Sequence, residues 1–171
     1  MKTMRGRRAV FGFCMAAALL AGARAHAERE TFPSRVAYPP LLQKLKTSGG
    51  AIARIVRVRR ASDLDALESG HRYKFTLEVH GQLSIAPEPT DAPRNEYVHP
   101  ILAGGEPVLT AGGIRVERSG EKITGIILDQ NSQSYCPSFA SLQAAADALA
   151  RAGVAARLIR REDHPPKCAA R

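Results

Sequence analysis

The side chains in this sequence that can carry chemistry fall in two short stretches, His99 with Pro100 and the Gly104-Gly105 pair, and Ser132, Ser134, Tyr135 and Cys136. His99 closes a short apolar run ahead of a Gly-Gly corner, where an imidazole can open onto a cleft and serve as a general base or position a substrate. The more ordinary reading is a histidine hydrogen-bonded to a neighbouring loop. Tyr135 can stack on or hydrogen-bond a ligand, or be a half-buried phenol that holds its own loop. Other chemistries lack a signature. His71, His80, His99 and His164 stand at no recognised metal-ligand spacing, so no metal and no cofactor is expected. The glycine pairs at 104–105 and 112–113 precede no Lys-Ser/Thr, which favours turn or bulge glycines over a phosphate cradle. Gly-x-Ser-x-Gly and Ser-x-x-Lys are missing, and serine acyl transfer with them.

Export is the strongest expectation. Lys2, Arg5, Arg7 and Arg8 form a basic leader, Val10 to Ala23 an apolar core and Ala25-His26-Ala27 a small-x-small cleavage site, so residues 1–27 read as a secretory signal cut before Glu28. The mature protein is then periplasmic or secreted, with no transmembrane segment. Cys14 lies too early for a lipoprotein cysteine. About 144 residues remain, the ordinary size of one domain. The chain's +9 falls to about +4, because five basic residues and no acidic ones leave with the leader. The remaining excess clusters at Arg54, Arg57, Arg59 and Arg60, and at Arg157, Arg160, Arg161, Lys167 and Arg171. Those clusters read as solvated edge and tail charge, with weak contact to an anionic envelope as the other reading. No nucleic-acid partner is expected.

In an oxidising compartment the two cysteines left, Cys136 and Cys168, are read first as a disulfide. The chain-entropy model gives such a loop of about 33 residues roughly 3–4 kcal/mol. A nucleophilic Cys136 is the alternative; no Cys-x-x-Cys and no nearby histidine supports it.

These groups must be positioned by mostly β structure. Residues 28–50 carry Pro33, Pro39 and Pro40 and read as an extended arm, with at most a helical turn at Leu41–Lys46. Ala51–Arg60 reads as a strand, with Ile52, Val56 and Val58 on one face, and Ser62–Glu68 as a helical turn. Tyr73, Phe75, Leu77 and Val79 alternate with Arg72, Lys74, Thr76 and Glu78, which predicts one buried and one wet face. A two-residue His80-Gly81 turn then leads to Leu83 and Ile85. Ile114–Glu117 and Ile123–Leu128 form a second hairpin candidate. Ser138 can cap a helix carrying Phe139, Leu142, Ala146 and Leu149 that stops at Gly153, and Val154–Ile159 follows as a short strand. The expected fold is α+β: an antiparallel sheet of hairpins, one C-terminal amphipathic helix on a face, a domain over 51–160 and a tail over 161–171 tied by the disulfide.

The stretch Tyr73–Gly153 resembles a module in the C-terminal regions of bacterial polymorphic toxins and secreted effectors and in plant IQ-motif calmodulin-binding proteins. That module runs as a hairpin, His-Ser-Ser, Gly-Gly-x-x-Val, Ala-Gly-Glu, a second hairpin, Ser-Gly-His-Tyr-x-Pro, and a helix ending in Gly-Val. Here His99-Pro100-Ile101 keeps the first histidine, Gly104-Gly105-Glu106-Pro107-Val108 matches the second element, and Ala111-Gly112-Gly113 has glycine for the acid. Ser132-Gln133-Ser134-Tyr135-Cys136-Pro137 keeps Ser, Tyr and Pro and lacks the second histidine. The resemblance implies a cleft holding His99, Gly104, Gly105, Ser132, Ser134 and Tyr135. With the acid and second histidine gone, it points to a non-enzymatic binding module for a protein or small molecule. The competing expectation is a toxin- or effector-like transferase or hydrolase using His99 and Tyr135.

Overall fold

The computed structural model describes residues 30–40, 54–90, 97–161 and 168. The expected signal, the Leu41–Lys46 turn and Ile52 lie outside them. Six strands form one mixed sheet: β1 (Val56–Val58), β2 (Arg72–Glu78), β3 (Leu83–Pro87), β4 (Val108–Ser119), β5 (Lys122–Asp129) and β6 (Ala156–Leu158), in the order β1-β3-β2-β4-β5-β6. Helix α1 (Val98–Leu102) precedes β4, helix α2 (Leu142–Arg151) links β5 to β6, and a 3-10 turn covers Ala61–Ala66. Every pairing is antiparallel except β5 with β6. That exception corrects an all-antiparallel expectation: a strand reached through a helical crossover returns parallel to its neighbour.

The β2–β3 connection is longer than a two-residue turn. The Glu78 amide donates to the Gln82 carbonyl at 3.0 Å, so Val79, His80 and Gly81 form the loop, with Gly81 at φ 93°. Val79 thus lies beyond the strand and is 51% exposed, where the alternation placed it in the core. The second hairpin begins earlier than expected, because residues 108–113 continue straight into β4. Gly112 and Gly113 are therefore strand residues and not a turn.

Tyr73, Phe75 and Leu77 pack with Leu83, Ile85, Ile114, Val116, Ile126 and Leu128 on one face of the sheet. Leu142, Ala145, Ala146 and Leu149, spaced one helical turn apart on α2, close this core together with Leu64 and Leu67 of the 3-10 turn. Ser138 does not cap α2 directly. Its hydroxyl accepts the Ser141 amide at 3.3 Å and organises the turn before the helix, which starts at Leu142. The stop is at Gly153, as its φ of 90° allows, with the Val154 amide donating to Leu149 and that of Gly153 to Ala150.

The opposite face is not wet. Lys74 is 4% exposed and Thr76 is fully buried: α1 packs against β2, and Phe32 of the amino-terminal arm packs on Ala111, the cross-strand neighbour of Thr76. Val98 and Leu102 pack on Ala86, while Phe32 packs with Ala103, Val108, Ala111 and Tyr135. Phe32 and Val108 exchange two backbone hydrogen bonds, at 2.8 and 3.0 Å, so the arm adds a rung to the sheet. Cys136 and Cys168 form a disulfide with an S–S distance of 2.01 Å. No helix among the described residues is long and apolar enough to cross a membrane.

Candidate functional site

The residues singled out in the sequence gather on the second face as framework. The short helix α1 turns His99 onto the sheet, where its Nε2–H donates to the Gly112 carbonyl at 3.0 Å. β5 pairs with β4 only as far as Gly113 opposite Asp129, so Gly112 lies one residue past the last rung and its carbonyl is met by a side chain. Burial, reinforced by the Lys74 ammonium and only partly opposed by the Gly112 bond, lowers the His99 imidazolium pKa to about 3. His99 is thus a neutral imidazole whose Nε2–H is already committed.

Gly104 and Gly105 end α1 in the left-handed region, at φ 63° and 82°, and the Gly105 amide donates to Pro100. A Cβ on Gly105 would stand 2.6 Å from that of Tyr38, so the arm lies directly on the corner. The Ser134 carbonyl accepts the Arg35 amide at 2.7 Å. Tyr135 is fully buried and donates its hydroxyl to the Glu106 carbonyl at 3.0 Å. Burial pushes its phenol up to about 12, against a hydrogen bond from Ser34. Ser132 is buried, with its hydroxyl unpartnered and its carbonyl accepting the Cys136 amide. The bed formed by 104–105 and 132–136 is therefore filled by the chain's own arm, whereas His99 belongs with Gly112 and Lys74.

Beside His99 runs a charged strip that sequence reasoning missed. Lys74, Gly113 and Asp129 stand in one row across β2, β4 and β5. The Asp129 carboxylate accepts the Gly113 amide at 3.1 Å and the Asn131 amide at 3.0 Å. Position 113 must lack a side chain, because a Cβ would come within 2.6 Å of that carboxylate. At Gly112 the constraint is tighter, with the Asp129 carbonyl oxygen 1.8 Å from where a Cβ would sit. Lys74 Nζ lies 3.2 Å from Glu88, whose other oxygen meets Arg72 Nε at 2.9 Å. Burial lowers the Lys74 pKa, and Glu88 and Asp129 oppose the shift.

Glu88 leads from this strip to the end of the sheet, where a cavity of about 580 Å³ opens between β1, the loop after the 3-10 turn and the start of β2. Val56, Leu67, Tyr73 and Pro87 supply apolar wall, and Arg54, Arg72, Glu68 and Glu88 supply charge. The Tyr73 hydroxyl accepts the Glu68 amide at 2.7 Å, which fixes the ring in the wall. Arg118 donates to the carbonyls of Leu64 and Leu67, each at 3.1 Å, and pins the 3-10 turn that forms one side. This volume and mixed lining suit a small molecule rather than a buried catalytic pair. Two further cavities, of about 410 and 390 Å³, lie near Gly153 and against α2. None of the three is lined by His99 or Tyr135. Among the described residues no group of three or more His, Cys, Asp or Glu side chains is arranged to hold a metal ion.

No protein-family model, curated protein or solved structure matches this chain.

Proposed function

We propose that this chain is an exported, disulfide-stabilised, non-enzymatic recognition domain that takes up a small molecule in the cavity between β1, the 3-10 turn and β2. The observation that carries the reading is the cavity itself, about 580 Å³ with apolar walls and paired charges at its side. Ligand sites of this kind are concave, largely apolar and furnished with a few placed polar groups.

Residues 1–27 serve as the export signal in this reading, and the resemblance to secreted effector modules supports the same compartment. A toxin- or effector-like catalytic centre on His99 and Tyr135 is set aside. A general base needs a lone pair that reaches substrate and a pKa near the working pH, and both side chains are buried and tied to main-chain carbonyls. The Arg clusters are partly spent within the fold: Arg60 pairs with Asp63, Arg157 with Glu117, and Arg160 lies 4.6 Å from the centre of the Phe139 ring.

A mixture of small aromatic and aliphatic fragments, titrated into the oxidised ¹⁵N-labelled full chain, tests this. Saturable amide shifts gathered at Val56, Leu67 and Tyr73 support it. Shifts gathered at His99 and Tyr135 instead, or turnover of a fragment, refute it.

A further inference from the structure

The geometry points to a small carboxylate with an apolar body as the occupant of the cavity, with Arg54 holding the carboxylate; this rests on the cavity reading above. Charge decides the sign of the ligand. Glu88 is one carboxylate shared by two cations, Arg72 and Lys74, so this wall is not short of positive charge. Asp129 faces Lys74 from the far side, where its carboxylate already accepts two backbone amides. Glu68, the other carboxylate on the lining, stands at the rim 3.4 Å from His71 Nδ1 and is mostly exposed, so water screens its charge. Arg54 also lines the cavity and has no ion-pair partner among the described residues. Among the described residues, an incoming cation would meet Arg54 and Arg72 with no carboxylate at depth that is not already engaged. An incoming carboxylate meets a guanidinium fork made for it.

The backbone agrees. Arg54 sits at φ 53°, a left-handed conformation uncommon for a residue with a side chain. Conformations of this kind gather at ligand clamps, where the surroundings hold them. This one lies two residues before β1 and on the cavity lining. On the same lining, Val56, Leu67, Tyr73 and Pro87 give the ligand body an apolar seat.

The test uses three probes with one body: 3-phenylpropionate, neutral 3-phenylpropanamide and cationic 3-phenylpropylamine. Each is titrated into the ¹⁵N-labelled full-length chain, wild type and Arg54→Asn, and followed at the amides of Val56, Leu67 and Tyr73. Asparagine tolerates the left-handed backbone, so the variant removes the charge without straining the turn. The carboxylate is expected to bind at least about fivefold more tightly than the amide, with the amine weakest, and Arg54→Asn to abolish the preference. Arg54→Lys should restore part of it. If the amide or amine shifts the cavity residues as readily as the carboxylate, the anion inference falls and the cavity reading stands. A preference that survives Arg54→Asn overturns the role given to Arg54. If none of the probes moves a cavity residue, both readings fall.

Discussion

Acidifying the protein makes His99 report on its own burial. In the unfolded chain the imidazole titrates near 6.5, and in the fold it stays neutral down to about 3. Between those values the unfolded state binds a proton that the native state refuses, so stability falls as the pH falls through this window. Linkage converts that difference into about 2 kcal/mol lost between about pH 7 and pH 5, and about 3 kcal/mol by about pH 4. The perturbation is His99→Gln, whose side-chain amide can still donate to the Gly112 carbonyl but does not titrate. Urea unfolding followed by far-UV circular dichroism and tyrosine emission, the chain having no tryptophan, gives stability at each pH. The variant loses some stability at neutral pH from imperfect packing, and that offset does not matter. The slope does: wild type should fall more steeply below about pH 6.5, and the two curves should converge toward acid. Asp63, whose pKa its bonds to the Arg59 and Arg60 amides lower, also costs stability in acid, but equally in both proteins. Parallel curves would show that His99 takes up protons alike in both states and would refute the burial argument.

Four further outcomes follow from the packing. Gly112→Ala would put a methyl group 1.8 Å from the Asp129 carbonyl oxygen, so β4 and β5 must part and the urea midpoint should fall by the equivalent of about 3 kcal/mol or more. Gly120→Ala, at φ 60° with open space around it, should cost only about 1 kcal/mol in the same assay. Replacing Cys136 and Cys168 together by serine should remove about 3–4 kcal/mol, read as the difference between oxidised wild type and the double variant. Tyr135→Phe removes the hydrogen bond from the buried phenol to the Glu106 carbonyl and should cost about 1 kcal/mol by thermal unfolding, with the cavity's ligand affinity unchanged.

What can be read in the sequence is what local chemistry decides. Tyr73 to Leu77 alternate, so β2 and its partner β3 are legible. Gly153 ends α2 because only the last helical turn is involved. The polar alternation at Lys74 and Thr76 misleads, because their burial depends on a five-residue helix carrying Pro100 and on an arm some forty residues upstream. Nothing in a period-two pattern says whether a second layer will cover the polar face. Gly112 and Gly113 read as a turn for the same reason: what demands glycine there is Asp129, far along the chain. The sequence points to His99 and Tyr135 by residue type alone, and type cannot tell a ligand-facing imidazole from one that replaces a missing rung. The cavity is not legible, since residues 54–56, 66–73 and 87–90 meet only when β1 pairs with β3. An arginine ahead of a Val-x-Val strand was the one available hint.

The most direct measurement is a crystal structure of the oxidised protein grown with 3-phenylpropionate. The account predicts the aromatic ring against Leu67 and Tyr73, the carboxylate on Arg54, and His99 Nε2 still on the Gly112 carbonyl. A ligand seated between His99 and Tyr135, with the arm displaced from residues 132–136, would contradict it.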